Sequence, residues 1–205
     1  MQIGCWPNVV LLASKSILSS DVESILRRLK AERRREPLTR RSASELPFAE
    51  HASHLPRALL YDTTVYIDIL QDRFPKTGDI AIRAADAWHS TVTEAELIAP
   101  CGFLSPDHPE TPEAVKRITR VIQLRPAHRT IAPDREIWLV AGVLSGLLAR
   151  LQRYGGAERR LLLNDALIFS TARKYGMAVL TRNFHDFDLL QQLDPAGQLL
   201  FYERA

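Results

Sequence analysis

Four acidic residues, Asp62, Glu96, Asp165 and Asp186, fall where the sequence pattern places strand ends and first helical turns. Asp62 closes the short apolar run RALLYD, and Asp186 lies in the loop or short helix after the apolar run Met177 to Leu180. Asp165 and Glu96 fall in the first turns of two expected helices, so they can project to the same edge. In an open α/β sheet, polar chemistry collects outside the carboxyl ends of the strands. Carboxylates gathered there raise one another's pKa and cost folding energy. A divalent cation removes that cost, and the hard ions Mg2+ and Mn2+ favour carboxylate and water oxygens.

Each acid also has a plain structural reading. Asp165 can be a helix N-terminal charge and Glu96 the partner of Thr93 in a capping box. Asp62 can be a strand-end turn residue and Asp186 a solvated loop acid. Their joint placement favours the ligand reading.

The elements that must position them follow from periodicity and stop signals. Asn164 can cap a helix running through Leu167, Ile168 and Phe169 to Arg173 and Lys174, with Gly176 just past its end. Met177 to Leu180 then reads as a buried parallel strand closed by Thr181, Arg182 and Asn183. Upstream, Ser20 and Asp21 precede an amphipathic helix that Pro37 stops, and 39–56 reads as a linker or arm. The domain begins at Arg57. Thr63 and Thr64 open a helix after Asp62, Ile80 to Trp88 reads as a second helical run, and His89 to Val92 as a short strand. Thr93 to Ile98 starts a helix, Pro100 to Pro112 reads as a proline-rich loop, and a helix follows through Val115, Ile118 and Ile122. His128 to Ile131 is a strand, Asp134 to Leu151 a long apolar helix ended by Gly155 and Gly156, and Leu199 to Tyr202 a last strand. Strands alternating with helices predict an α/β sandwich with a central, mainly parallel sheet.

At 205 residues, with 46% hydrophobic and 25% charged, the chain is an ordinary globular sequence able to bury a core. No apolar run approaches the roughly 20 residues that spanning a bilayer requires. The N-terminus lacks the marks of a secretion signal, so a cytoplasmic location is expected. Cys5 and Cys101 are too few for a disulfide framework and have no CxxC partner for zinc. The net charge of +3 is uneven: residues 1–55 hold nine Lys or Arg against six Asp or Glu, and the remainder holds eighteen of each. The centre of the excess is RRLKAERRREPLTRR at 27–41, a solvated, partly helical and partly disordered segment or a surface for a polyanion.

The residues also carry a family resemblance. YDTTVYIDIL at 61–70 resembles the opening signature of PIN-domain ribonucleases, and STVTEAEL at 90–97 resembles their second acidic motif. NDALIFSTARKYGMAVLTRNFHDF at 164–187 resembles their third and fourth, and the whole is most similar to VapC toxins of toxin-antitoxin pairs. The likeness covers 57 to about 202 and leaves 1–56 outside it, as an accessory basic arm or an upstream stretch that folds only with a partner. It implies a three-layer α/β/α sandwich, usually a homodimer, that cleaves RNA with Mg2+ or Mn2+ and is held by a VapB-like antitoxin. It implies metal-binding and catalytic roles for Asp62, Glu96, Asp165 and Asp186, with Thr63, Thr181 and Asn183 supporting metal or phosphate. Where the family usually has Asn, this chain has Thr64, which still offers a donor.

Arg182 at the strand end is expected either to contact the RNA backbone or to form a surface ion pair. Asp68 reads as a surface or salt-bridge residue, Glu94 as pointing elsewhere, Asp188 as a reserve for Asp186, and His185 as solvent-facing. The alternative to a nuclease is a non-catalytic PIN-like module that binds RNA or protein. A haloacid-dehalogenase type of phosphotransferase needs a second acid where Thr64 stands.

Overall fold

Alternation of short apolar strands with amphipathic helices lets helices cover both faces of the central strands, which suits a parallel sheet. The computed structural model describes residues 15–205, with the side chains of 15–20 and 156–160 outside that description; Cys5 and the apolar run near the N-terminus lie outside it too. The described elements are α1 (Lys15–Arg28), β1 (Ala58–Tyr61), α2 (Thr63–Leu70), α3 (Lys76–Ala84), β2 (Asp86–Ser90), α4 (Thr91–Phe103) and α5 (Thr111–Gln123). They continue with β3 (Thr130–Ile131), α6 (Arg135–Leu151), α7 (Gly156–Lys174), β4 (Ala178–Thr181), α8 (Phe184–Leu193) and β5 (Gln198–Phe201).

The sheet order is β3-β2-β1-β4-β5, and every neighbouring pair is parallel. Leu60 stands opposite Trp88 on one side and Val179 on the other. The two-residue period sends Leu60, Val179, Leu199 and Phe201 into a core shared with α6, α7 and α8. Leu59, Tyr61, Ala178, Leu180 and Leu200 face the opposite core, with Val65 and Tyr66 of α2 and Ala81 of α3. The result is the expected three-layer α/β/α sandwich. No helix among the described residues is long and apolar enough to cross a membrane.

Several local expectations change. The Ala-rich run Ile80 to Trp88 divides, because pairing of Asp86 with Ala58 pulls its second half into β2 and overrides helix propensity. The strand expected over His89 to Val92 therefore ends at Ser90, whose hydroxyl caps α4 by accepting from the Val92 N–H at 3.2 Å. Thr93, expected as that cap, is buried one turn in and donates to the carbonyl of Tyr61. The expected loop from Pro100 begins later, since α4 carries Pro100 inside it and runs to Phe103. Asn164 is not a helix cap: α7 starts eight residues earlier, at Gly156. Gly176 does end that helix, in the left-handed conformation at φ 67°, with the Met177 N–H returning to the Ala172 carbonyl at 2.9 Å.

Residues 29–56 form a strap along the chain's own domain. Leu29, Leu46 and Phe48 are buried in the core of α6, α7 and α8. Beside β5, the Ala49 N–H donates to the Phe201 carbonyl and the Phe201 N–H to the Pro47 carbonyl, both at 2.8 Å. Charged anchors complete the seat. Buried Asp194 takes Arg28 of α1 and Arg173 of α7, and buried Asp188 accepts from the Arg41 backbone N–H at 2.9 Å and side chain at 2.6 Å.

Candidate active site

In this strand order the chain leaves β1 toward β2 and β3, then returns to the other side of β1 for β4 and β5. Their connections diverge above β1 and β4, which opens a crevice at the carboxyl ends of those strands. The Asp62 N–H donates to the Leu180 carbonyl at 3.1 Å, fixing the crevice floor.

Asp62 is the first residue past β1 and the N-cap of α2, and it is only 2% exposed. The Thr63 N–H donates to its Oδ1 at 2.7 Å, while the hydroxyls of Thr64 and Thr181 donate to Oδ2, each at 2.7 Å. Glu96, in the second turn of α4, receives the Thr63 hydroxyl on Oε2 and the Asn164 amide on Oε1 at 2.8 Å. Thr63 therefore ties Asp62 to Glu96. Asp165, midway along α7, and Asp186, in the first turn of α8, share the Asn183 amide, whose Nδ2 lies 3.1 Å from an oxygen of each. Asn183 is also the N-cap of α8.

The electrostatics match a crowded acidic crevice. Burial raises the pKa of Asp62 against the opposing hydrogen bonds of Thr181 and Thr64. Glu96 is raised by burial, with Asp62 adding to the effect while Thr63 and Asn164 oppose it. Asp165 is raised well above the carboxylate range, first by burial and then by Asp62, Asp186 and Glu96 in turn. A groove of about 420 Å³ opens beside Glu96 and Asn164, lined by Val92, Ala95, Pro133 and Trp138.

The four expected acids thus come together, but by other local means than the sequence suggested. Glu96 is not in a capping box, and Asp165 lies in a helix interior that faces the crevice. Thr63, Thr181 and Asn183 all hold the acids, as does Thr64, which also accepts from the Arg182 N–H at 3.1 Å. The Arg182 side chain turns away, donating to Asp68 at 2.8 Å. Asp68 is fully buried and also takes Tyr202 and Arg204, so it is an internal ion-pair hub and not a surface residue. Asp188 is committed to Arg41 and is no substitute for Asp186; Glu94 faces Arg125, and His185 is exposed as expected.

Sequence reasoning missed Asn164 as a crevice donor, together with Tyr154, whose hydroxyl lies 3.4 Å from Asp186 Oδ1, and Arg40, which donates to that hydroxyl at 3.1 Å. A polar amide directly before Asp165 was the signal available for Asn164; none marked the other two. Among the described residues, no three His, Cys, Asp or Glu side chains stand ready to grip a single ion as they lie. Amide and hydroxyl donors occupy the carboxylate oxygens instead.

Curated proteins give no match. Similar solved structures include FitAcB from Neisseria gonorrhoeae, 19% identical with TM-score 0.51, covering 70% of this chain and 96% of that one. VapBC2 from Rickettsia felis bound to a DNA fragment from their promoter is 15% identical with TM-score 0.50, covering 71% and 99%. A family model for the PIN domain matches residues 59–190, which span all four acids and the crevice that gathers them; the chain belongs to the PIN domain family.

Proposed function

We propose that this chain is a divalent-metal-dependent endoribonuclease, the toxin of a toxin-antitoxin pair, with Asp62, Glu96, Asp165 and Asp186 as its metal-binding and catalytic acids. PIN domains are in general nucleases that use divalent metal ions. The observation that carries the reading here is the gathering of Asp165 with Asp186, Asp62 and Glu96 in one crevice, where a single Asn183 amide serves both Asp165 and Asp186 and the Asp165 carboxyl is raised first by burial and then by the three other carboxylates. A structural ion pair brings a cation to its carboxylate, whereas carboxylates gathered without one suit a bound metal ion.

The donor set fits a hard ion held by one or two carboxylates plus water and phosphate oxygens, the usual mode for Mg2+, better than an all-protein cage. Mg2+ or Mn2+, when bound, lowers the pKa of water and offsets charge on the phosphate under attack. The chain's own part is orientation. Thr63, Thr64 and Thr181 fix the Asp62 carboxylate, Asn164 and Thr63 aim Glu96, and Asn183 spaces Asp165 from Asp186. The groove beside Glu96 and Asn164 gives RNA a route to the Glu96 side of the crevice. The resemblance of its motifs to VapC toxins extends the proposal to a VapB-like antitoxin, a homodimer and a cytoplasmic site of action.

The test is cleavage of total RNA by wild type and Asp62→Ala, with Mn2+ and with a chelator. Wild type with Mn2+ should cleave, and the other three combinations should not. Full activity of the Asp62→Ala variant would remove the acids from the mechanism. Absence of both cleavage and calorimetric Mn2+ binding in wild type would leave a non-catalytic binding module. Co-purification with the product of an adjacent VapB-like gene tests the partner, and light scattering tests the dimer.

A further inference from the structure

The strap lies wholly outside the stretch that the PIN family model matches, yet its middle passes beside one of the four acids. Its course is fixed by anchors spread along its length. Arg34 donates to the carbonyls of Gln192 and Leu193, Arg150 to those of Ala31 and Arg34, and Gln152 to that of Leu38. Gln192 then donates to the Thr39 carbonyl at 3.0 Å, and Arg41 binds buried Asp188. Arg40 sits between those last two anchors, both on α8, so its guanidinium is delivered to the first turn of α8.

There the fork makes two bonds. Nε donates to the carbonyl of His185, the residue before Asp186, and Nη2 donates to the Tyr154 hydroxyl, each at 3.1 Å. The Tyr154 hydroxyl in turn faces Asp186 Oδ1, while Asn183 holds Oδ2 of the same carboxylate. A phenol whose oxygen accepts from a guanidinium directs its own proton elsewhere, and Asp186 Oδ1 is an acceptor within its reach at 3.4 Å. Hydrogen bonds in such a chain strengthen one another.

We propose that Arg40 is a positioning residue of the nuclease site, setting the orientation of Asp186 through Tyr154 and the His185 backbone. This rests on the metal-nuclease reading above. Carboxylates that bind ions are themselves held by outer hydrogen bonds, and losing one such partner typically costs about 10–100-fold in metal affinity. The strap is then a working part of the site and not an appendage.

The experiment is Mn2+ titration of the full chain by calorimetry, without RNA, for wild type, R40A, R40K, Y154F, the R40A/Y154F double variant and R150A. R150A loosens the strap seat but touches neither Tyr154 nor Asp186. R40A and Y154F should each bind Mn2+ about tenfold more weakly at an unchanged melting temperature. The double variant should lose less than the product of the two, because both act on one carboxylate. R40K should recover most of the affinity, and R150A should keep it while melting earlier. In cleavage assays at fixed, subsaturating Mn2+, R40A should lower kcat and leave KM for RNA unchanged. Wild-type Mn2+ affinity in R40A, an equal loss in R150A, or a raised KM alone would overturn the proposal, the last marking Arg40 as a phosphate contact. If wild type binds no Mn2+, the metal reading fails first and this inference with it.

Discussion

The hydroxyl of Thr181, at the end of β4, donates to the carboxylate of Asp62, at the end of β1, over 2.7 Å. Both residues are buried, and the bond crosses the point where the strand order reverses. Thr181→Val keeps the shape and removes the donor. A hydrogen bond to a charged group contributes about 1.5–3 kcal/mol, so at neutral pH the variant should lose about 1–2 kcal/mol by urea denaturation. It should also bind Mn2+ more weakly than wild type by calorimetry.

Asp165 is where stability and activity should part. Burial and then Asp62, Asp186 and Glu96 oppose its charge, so Asp165→Asn removes a repulsion. The metal-free variant should be more stable than wild type by roughly 0.5–2 kcal/mol, within the range that site-relieving changes give. RNA cleavage and Mn2+ binding should be lost together. A destabilised Asn variant would show that the Asp165 charge supports the fold.

His89 sets an acid limit. Burial first, then Arg125 and Arg129, push its pKa down to about 4 from the ordinary 6.5. Between those values the unfolded chain takes up a proton that the folded chain refuses. The contribution is therefore fully present above pH 6.5 and is lost as pH falls toward 4, amounting to roughly 2–3 kcal/mol. Urea midpoints measured from pH 7 to 4.5 should fall more steeply for wild type than for His89→Gln.

Arg41 closes the strap. Asp188 is 1% exposed and receives both the backbone and the side chain of Arg41. Arg41→Ala leaves that buried carboxylate short of its cation, a change that costs 3–5 kcal/mol in fully buried pairs. Arg41 is itself partly exposed, so about 2 kcal/mol is expected, with faster limited proteolysis within 29–56. Chemical denaturation and a proteolysis time course check both.

What was legible in the sequence divides along physical lines. The strand ends at Asp62 and Thr181 and the helix stop at Gly176 are local events, each written within a few residues. The four acids were readable because the motifs around them are compact. Asn164 was misread because an Asn ahead of an apolar run looks like a cap, while a helix interior tolerates it when the amide has a distant acceptor such as Glu96. The links from Arg40 to Tyr154 and His185 span 114 and 145 positions and leave no periodic trace. The strap's polar, proline-containing stretch hid its seat for the same reason. Besides the isolated buried side chains Leu29, Leu46 and Phe48, it is held by single arginines and glutamines reaching backbone carbonyls and a buried carboxylate, which no hydrophobic pattern records.

The pairing of Pro47 and Ala49 with Phe201 has a consequence for how the domain is delimited. The family match begins at residue 59, but a chain cut there would expose the outer backbone groups of β5 as an open sheet edge. Such edges recruit strands from other molecules and drive aggregation. Residues 47–49 act as a built-in edge guard, so the smallest well-behaved unit starts ahead of them, and self-association of a fragment trimmed to residue 57 would say nothing about the oligomeric state of the whole protein.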